Sequence, residues 1–507
     1  MIRKEPIRMN IERAVLFTES TKQTEGENLS LRWAKALMHI AENIKLYVEP
    51  DGPSLLQLRG AEKRPVSPFV MSEEDLQVVE EVLYPYWKEG SYAQAYAQAL
   101  PEETRKIIFG DDRNNFSKQQ YVLSQSTTAR SSSNFNYDLE TILKRGMKSF
   151  QDEAEARLAE VKAHPKDYVK YGAFWEAAIL CCQAFTIYAH RYAMETRRVA
   201  ETVQSQTRRA ELLEIADNCE WVATNPARDF RSALQLQWFV MAFVRLEQMN
   251  GASLGNARMD QHLLPYYQQD IASGKLTRAQ AKELLECYWL NLSQITLVPT
   301  SESSSKLFEA YAHFETVTIG GQTKDGADAT NELSYLILES KQGFPTTYPD
   351  LAVRVHAGSP KTFLRACRDA STDINDYVPN SIREAFVGHI GYATMIDSIA
   401  AVKKVVYDDK SVTMDELIKA LDANFEGYEV VQQLLINAPK YGNNDPYADN
   451  IGKQIDHFVC EYLAQNPGVH GESFSMRVVP VTFHIPSGKV TGATPSGWYP
   501  LFALGVT

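Results

Sequence analysis

This sequence predicts an α/β fold in which many helices wrap a few short strands. Two observations predict it. Through the first half, helical hydrophobic spacing recurs in one segment after another. From about residue 311, short β-branched runs ended by glycine alternate with further helices, the pattern of a helix-wrapped barrel. No segment repeats at a solenoid period.

The elements follow in order. Between Asn28 and Tyr47, the residues Leu31, Ala34, Leu37, Ile40 and Ile44 fall on one helical face. Ser72, followed by Glu73, Glu74 and Asp75, opens a helix running towards Trp87; a serine caps the orphan N–H groups and the acids complement the helix dipole. Tyr137 to Val161 reads as a long helix charged on one face, and Trp175 to Val203 as a more apolar, buried one. Ala210–Val222, Arg231–Met249 and Thr277–Leu297 are further amphipathic helices, the last opened by Thr277 and Gln280 at capping-box spacing. FETVTIGG (314–321) reads as a strand, the stretch from Asp328 as a helix, and 348–360 as a second short strand with a helix from Pro360. Met414–Asn424 and Ala448–Ala464 are helical, and the tail holds two strand-like runs, SMRVVPVTF (475–483) and KVTGAT (489–494).

The chain of 507 residues has 44% hydrophobic and 23% charged residues, ordinary globular values. The apolar runs fall short of a membrane span, and the N-terminus has no secretory apolar core. With 52 basic against 64 acidic residues the net charge is −12, which argues against nucleic-acid or anionic-membrane binding. The six cysteines, at 181, 182, 219, 287, 367 and 460, form no CxxC pair and fit a reducing, cytoplasmic setting. The histidines show no metal-ligand spacing, so no metal is expected.

GNNDPYAD (442–449) reads as a turn capping a helix near Tyr447. VTIGGQTKDGADATNEL (317–333) has a glycine pair after a strand but no phosphate-loop pattern, so a tight turn and a capped helix explain it. Arg130 beside three serines and Asn134 is a set able to clamp an anion, because a guanidinium pairs bidentately with sulfonate, carboxylate or phosphate. Arg258 and Asp260 read as a structural pair at a helix start. His313 and Phe314 precede the strand, where an aromatic is as well placed for core as for a substrate wall. No GxSxG is present and no triad can be assembled, so residue chemistry alone names no reaction.

The ordered run of segments resembles the glycyl radical enzymes, the relatives of pyruvate formate-lyase. The resemblance is carried by NPARDFRSALQLQWFV (225–240), LGNARMDQHLLPYYQQDIASGKLTRAQAKELLECYWL (254–290) and HFETVTIGGQTKDGADATNELSYLIL (313–338). It continues through PDLAVRVHAGSPKTFL (349–364), the stretch 398–427, NAPKYGNNDPYADNI (437–451) and GATPSG (492–497). Residues 130–158 and 245–261 are most similar to the isethionate sulfite-lyase branch, which cleaves the C–S bond of a small hydroxysulfonate.

The resemblance implies a ten-stranded, helix-wrapped α/β barrel, here incomplete, as one large domain over 1–507 with gaps near 50–54 and 371–383. It places Arg130 at a sulfonate-binding arginine, Asn134 where the branch has a glutamine, and Phe314 where it has a substrate-wall tryptophan; His313 is a weaker candidate. It implies a homodimer, and a glycyl radical installed by a radical S-adenosylmethionine activase, with no bound cofactor. Other branch reactions, arylacetate decarboxylation or hydroxysulfonate dehydration, are alternatives, as is a radical-dead barrel that binds or scaffolds. The family's Gly-Cys-x-Glu loop, whose cysteine becomes a thiyl radical, does not occur in the sequence, nor does its RVxGY-type glycine loop. Cys367 and Cys460 sit in helical stretches and match neither, so no catalytic residue is assigned. The arginine that usually follows GATPxG is also missing, which halves a two-arginine sulfonate clamp. The expectation is that the 507 residues are pieces of a longer lyase that omit these loops.

Overall fold

A computed structural model describes residues 10–48, 71–87, 98–109, 135–247, 254–293, 316–342, 351–369, 384–389, 391–466, 473–478 and 491–498. The chain divides into two compact units. The first comprises Met1–Ala95, Arg130–Val298 and Ala310–Pro379; the second comprises Tyr96–Ala129, Pro299–Glu309 and Asn380–Thr507.

The first unit is led by helices whose starts are capped as their sequences dictate. They are α1 (Glu12–Gln23), α2 (Leu29–Asn43), α3 (Leu139–Lys162), α4 (Pro165–Thr202), α5 (Gln206–Val222), α6 (Phe230–Glu247), α7 (Arg278–Leu292), α8 (Glu332–Lys341) and α9 (Lys361–Asp369). Asn28 accepts from the Ser30 N–H at 3.0 Å to start α2. Thr277 and Gln280 form the expected capping box at α7. Ser72 likewise caps its helix, accepting from the Asp75 N–H at 3.1 Å.

The long helix expected over Tyr137–Val161 is kinked. Gly146 has φ +69°, and a Cβ there would lie 2.4 Å from the Asn225 carbonyl carbon. The 224–227 segment inserts at the break, the Ala227 N–H donating to the Leu143 carbonyl and the Lys148 N–H to the Thr224 carbonyl. Only glycine permits both the conformation and the approach.

α4 carries the core. Phe185, Tyr188 and Tyr192 are fully buried and stack edge-on against one another's neighbours on α6, Phe239 and Phe243. By length and composition α4 would also pass for a membrane span, but this burial marks it as a core helix. α6 is buried on nearly every side, and two carboxylates cap its start: Ser232 N–H donates to Asp229 at 2.7 Å and Phe230 N–H to Asp270 at 2.9 Å.

The strands are short and parallel. β1 (Phe135–Asn136) pairs with β2 (Leu254–Gly255), and β3 (Val317–Gly320) pairs with β4 (Leu351–Arg354) in register Val317–Leu351 to Gly320–Arg354. The residues after β2 join the two pairs through an Arg258–Thr318 bridge. Parallel neighbours connected by helices are the pairing a helix-wrapped barrel uses.

The second unit contains β5 (Glu384–His389) and β6 (Ser473–Val478), parallel over six residues. Around them lie α10 (Tyr392–Val402), α11 (Met414–Asp422), α12 (Glu429–Asn437) and α13 (Pro446–Gln465). Asp445 caps α13 by accepting from the Tyr447 N–H at 2.9 Å, so GNNDPYAD is the capping turn its composition implies. Residues 491–494 form no strand, contrary to the strand-like reading of KVTGAT. They dock on α12 instead: the Ala493 N–H donates to Asn424 at 2.8 Å, and Gln432 donates to the Gly497 carbonyl at 3.1 Å.

Candidate functional site

Arg130, Asn134, His313 and Phe314 lie outside the described residues. The structure describes the strand framework into which each of them leads. β1 begins directly after Asn134, and β3 begins three residues after Phe314. The 254–257 segment runs between these two strands. On one side Phe135 is in register with Leu254 and Asn136 with Gly255. On the other the Asn256 N–H donates to the Thr316 carbonyl at 2.9 Å and the Thr318 N–H to the Ala257 carbonyl at 3.1 Å. All three strands are parallel, so the chain enters β1 and β3 from the same end.

A sealed polar circuit holds this central segment. Asn256 Oδ1 accepts from Tyr288 on α7 at 2.6 Å and from Gln237 on α6 at 3.1 Å. Gln237 Nε2 also donates to the Tyr288 hydroxyl at 3.0 Å, and Gln237 Oε1 faces His262 Nε2 at 2.8 Å. An amide oxygen only accepts, so that imidazole nitrogen carries the proton. Gln237, Asn256 and Tyr288 have no exposed surface. Burial lowers the His262 pKa to about 4.

Two residues further on, Arg258 and Asp260 do not pair with each other. Both grip the end of β3. Arg258 donates to the Gly320 carbonyl at 2.5 Å and the Gln322 carbonyl at 2.8 Å, while Asp260 accepts from the Gly320 N–H at 2.8 Å and the Ser334 hydroxyl at 2.5 Å. The structural role expected for Arg258 and Asp260 is correct, but its target is one glycine rather than an ion pair. Gly320 has φ +73°, and a Cβ there would sit 2.8 Å from the Arg354 carbonyl. Burial raises the Asp260 pKa to about 6, against the pull of its Gly320 and Ser334 bonds and of Arg258. The turn beyond it leads into the Asn331 capping box of α8, as the glycine-pair stretch implied.

His356 after β4 faces Asp328 at 3.0 Å, and its Nδ1 accepts from the Gly358 N–H at 3.1 Å. Both ring nitrogens are thereby occupied, which makes this a loop staple rather than a base.

The two shifted groups predict opposite acid responses. The folded pKa of His262 lies below its usual 6.5, so its stabilising contribution is present above that value and lost as pH falls towards about 4. The folded pKa of Asp260 lies above its usual 3.8, so its contribution is present below that value and lost as pH rises through about 6. Replacing His262 with Gln removes one arm only. Relative to the parent protein, H262Q should gain roughly 2–3 kcal/mol between pH 7 and pH 4 in denaturant titrations. Parallel stability curves for the two proteins would contradict this.

The cysteines do not form a reactive thiol among the described residues. Burial pushes Cys181 and Cys182 up to about 11 and Cys219 higher still. Cys367 is buried in α9, and Cys460 lies exposed on α13, both helical as expected. All six are free, and no metal-binding cluster occurs among the described residues.

Sequence reading missed the Gln237–Asn256–Tyr288–His262 circuit. Its members are dispersed along the chain, and each alone looks like an ordinary polar residue on an amphipathic segment.

Comparison with known proteins matches the pyruvate formate lyase-like family model in two consecutive pieces, residues 55–379 and 380–488. The chain is 33% identical to an isethionate sulfite-lyase of Bilophila wadsworthia, covering 97% of this chain and 79% of that protein. It is 34% identical to the isethionate sulfite-lyase of Desulfovibrio desulfuricans at the same coverage of both chains. The first alignment spans 661 residues, more than the 507 of this chain, so that relative carries internal segments with no counterpart here. A glycyl radical enzyme structure from Archaeoglobus fulgidus superposes with a TM-score of 0.80 at 23% identity, over 99% of this chain and 83% of that one. That likeness shows the barrel fold.

Proposed function

Because the chain belongs to the pyruvate formate lyase-like family, we propose that it is a glycyl radical lyase acting on a small hydroxyalkylsulfonate, isethionate or a close analogue, and releasing sulfite. The observation that carries this reading is the 33–34% identity to isethionate sulfite-lyases along 97% of the chain.

A sulfonate holds its negative charge at every physiological pH and offers three acceptor oxygens, so it requires fixed cationic and amide donors. Arg130 supplies a bidentate guanidinium, and Asn134 supplies a shorter amide beside it. Phe314 forms an apolar wall, with His313 next to it. The parallel entry of β1 and β3 on either side of the 254–257 segment supports this grouping of Asn134 with Phe314.

The family's radical chemistry requires a thiyl-forming cysteine in a mobile Gly-Cys-x-Glu loop. The cysteines of this chain do not fit that role: Cys181, Cys182, Cys219, Cys367 and Cys460 are helical, and three of them have thiols driven upward by burial. The contribution of these 507 residues is to bind and orient the sulfonate. The proposal extends to a radical S-adenosylmethionine activase as transient partner, a homodimer, and a cytoplasmic setting. A smaller ring at 314 and a shorter amide at 134 also leave room for a longer hydroxysulfonate, which is the second reading.

The test is anaerobic incubation of the purified protein with an activase, S-adenosylmethionine and isethionate. Loss of sulfite from isethionate leaves acetaldehyde by atom balance, so the two should appear in equal amounts. Isethionate binding without turnover would retain the binding role and remove the lyase role. Neither binding nor turnover would overturn the proposal.

A further inference from the structure

We infer that the buried circuit Gln237–Asn256–Tyr288–His262 is a positioning unit for the sulfonate pocket, acting through the 254–257 segment; this rests on the function proposed above. The geometry points to it because Asn256 uses both its backbone and its side chain. Its N–H sets the register of the segment against Thr316, at the entrance to β3. Its side chain is locked from behind by Tyr288 and Gln237. On the opposite edge, the preceding residues Leu254 and Gly255 fix the register of Phe135 and Asn136 in β1. One short segment therefore sets the spacing of two strands, and each strand is entered directly from a candidate binding stretch, 130–134 and 313–314.

A parallel pair only two residues long cannot hold register by itself, because it makes too few ladder bonds. An anion site needs its donors placed within a fraction of an ångström. The circuit supplies that precision from two rigid helices, α6 and α7. It is closed: each of the contacts described has a donor facing an acceptor, and the hydroxyl of Tyr288 both donates and accepts. His262 completes it by anchoring the amide of Gln237 so that its N–H₂ faces Asn256.

The neighbouring residue provides an internal control. Trp289 is equally buried and donates to Ser340 on α8 at 2.9 Å, but it does not bond to the 254–257 segment. Tyr288→Phe and Trp289→Phe each remove one buried hydrogen bond, and they should cost comparable stability.

The experiment measures isethionate affinity calorimetrically on the whole protein, together with thermal stability. Tyr288→Phe should weaken isethionate about tenfold, the worth of one buried hydrogen bond expressed as misplacement, while Trp289→Phe leaves affinity unchanged at a similar melting temperature. His262→Ala should weaken binding, and His262→Gln, which keeps a donor towards Gln237, should restore it. Equal effects of Tyr288→Phe and Trp289→Phe on affinity would reduce the circuit to general stability and overturn the inference. So would undiminished affinity in both Tyr288→Phe and His262→Ala. Should Tyr288→Phe fail to fold, the His262 pair decides alone. A parent protein that binds no isethionate brings down the functional reading and this inference together, whereas a binding parent with indifferent variants brings down the inference only.

Discussion

Replacing Arg130 with alanine should weaken isethionate binding by about a hundredfold, the largest effect expected of any single pocket substitution. A bidentate, charge-assisted pair to a sulfonate is worth roughly 2–3 kcal/mol beyond what water supplies, and alanine returns nothing in its place. The loss should be steep because the arginine usually following GATPxG is absent: residues 495–499 read Pro-Ser-Gly-Trp-Tyr, so a second guanidinium is not supplied from there. Arg130→Lys should recover part of the affinity through its charge, but not the two-point geometry. Calorimetry with isethionate, and with ethanol as the uncharged control, separates these contributions. An Arg130→Ala protein that binds isethionate as tightly as the parent would remove this residue from the site.

The largest stability effect is expected at Asp260. Its carboxylate is fully buried and accepts from both the Gly320 N–H and the Ser334 hydroxyl, while Arg258 holds the carbonyl of the same glycine. Asp260→Ala leaves the glycine N–H without its acceptor, deprives the half-buried Arg258 of its nearby negative charge, and opens a void. Breaking such an arrangement from one side costs roughly 3–5 kcal/mol. Asp260→Asn is expected to be far milder. Its amide oxygen still accepts from Gly320, the Ser334 hydroxyl can turn to accept from the amide nitrogen, and the cost of holding a charge that burial disfavours disappears. Because the Asp260 pKa is raised, the penalty of the asparagine relative to the parent should be greatest in mild acid and smaller at neutral pH, where the parent holds a buried charge. Urea unfolding at pH 7 and pH 4.5 measures both. Alanine and asparagine variants of equal stability would show that the clamp on Gly320 is not what Asp260 provides.

Local structure was legible where local chemistry determines it. Asn28, Ser72, Thr277 and Asp445 each mark a helix start, because an oxygen-bearing side chain next to orphan N–H groups behaves alike in almost any context. The glycines of 317–333 gave the turn, since residues at positive φ are restricted to few types. β1, β2 and β5 were not legible. Two residues cannot display a period, so β1 and β2 exist only because each has a neighbour to pair with. KVTGAT shows the converse: strand-like composition at 491–494 produced a docked turn, because its hydrogen bonds go to Asn424 and its neighbours rather than to a partner strand. The kink at Gly146 was equally hidden, for the helical pattern continues through it and the cause is the segment at 224–227, far away in the chain.

By itself, the sequence determined the fold class, the family, and the chemical character of the substrate group, because periodicity, capping and an ordered run of motifs are properties of neighbouring residues. The tertiary structure alone decided which polar residues meet. Gln237, Asn256, Tyr288 and His262 come from four separate elements, and Arg258 and Asp260 find Gly320 rather than each other. Buried polar atoms must satisfy their hydrogen bonds with whatever the packing brings within reach, and that choice is made by the assembled core, not by distance along the chain.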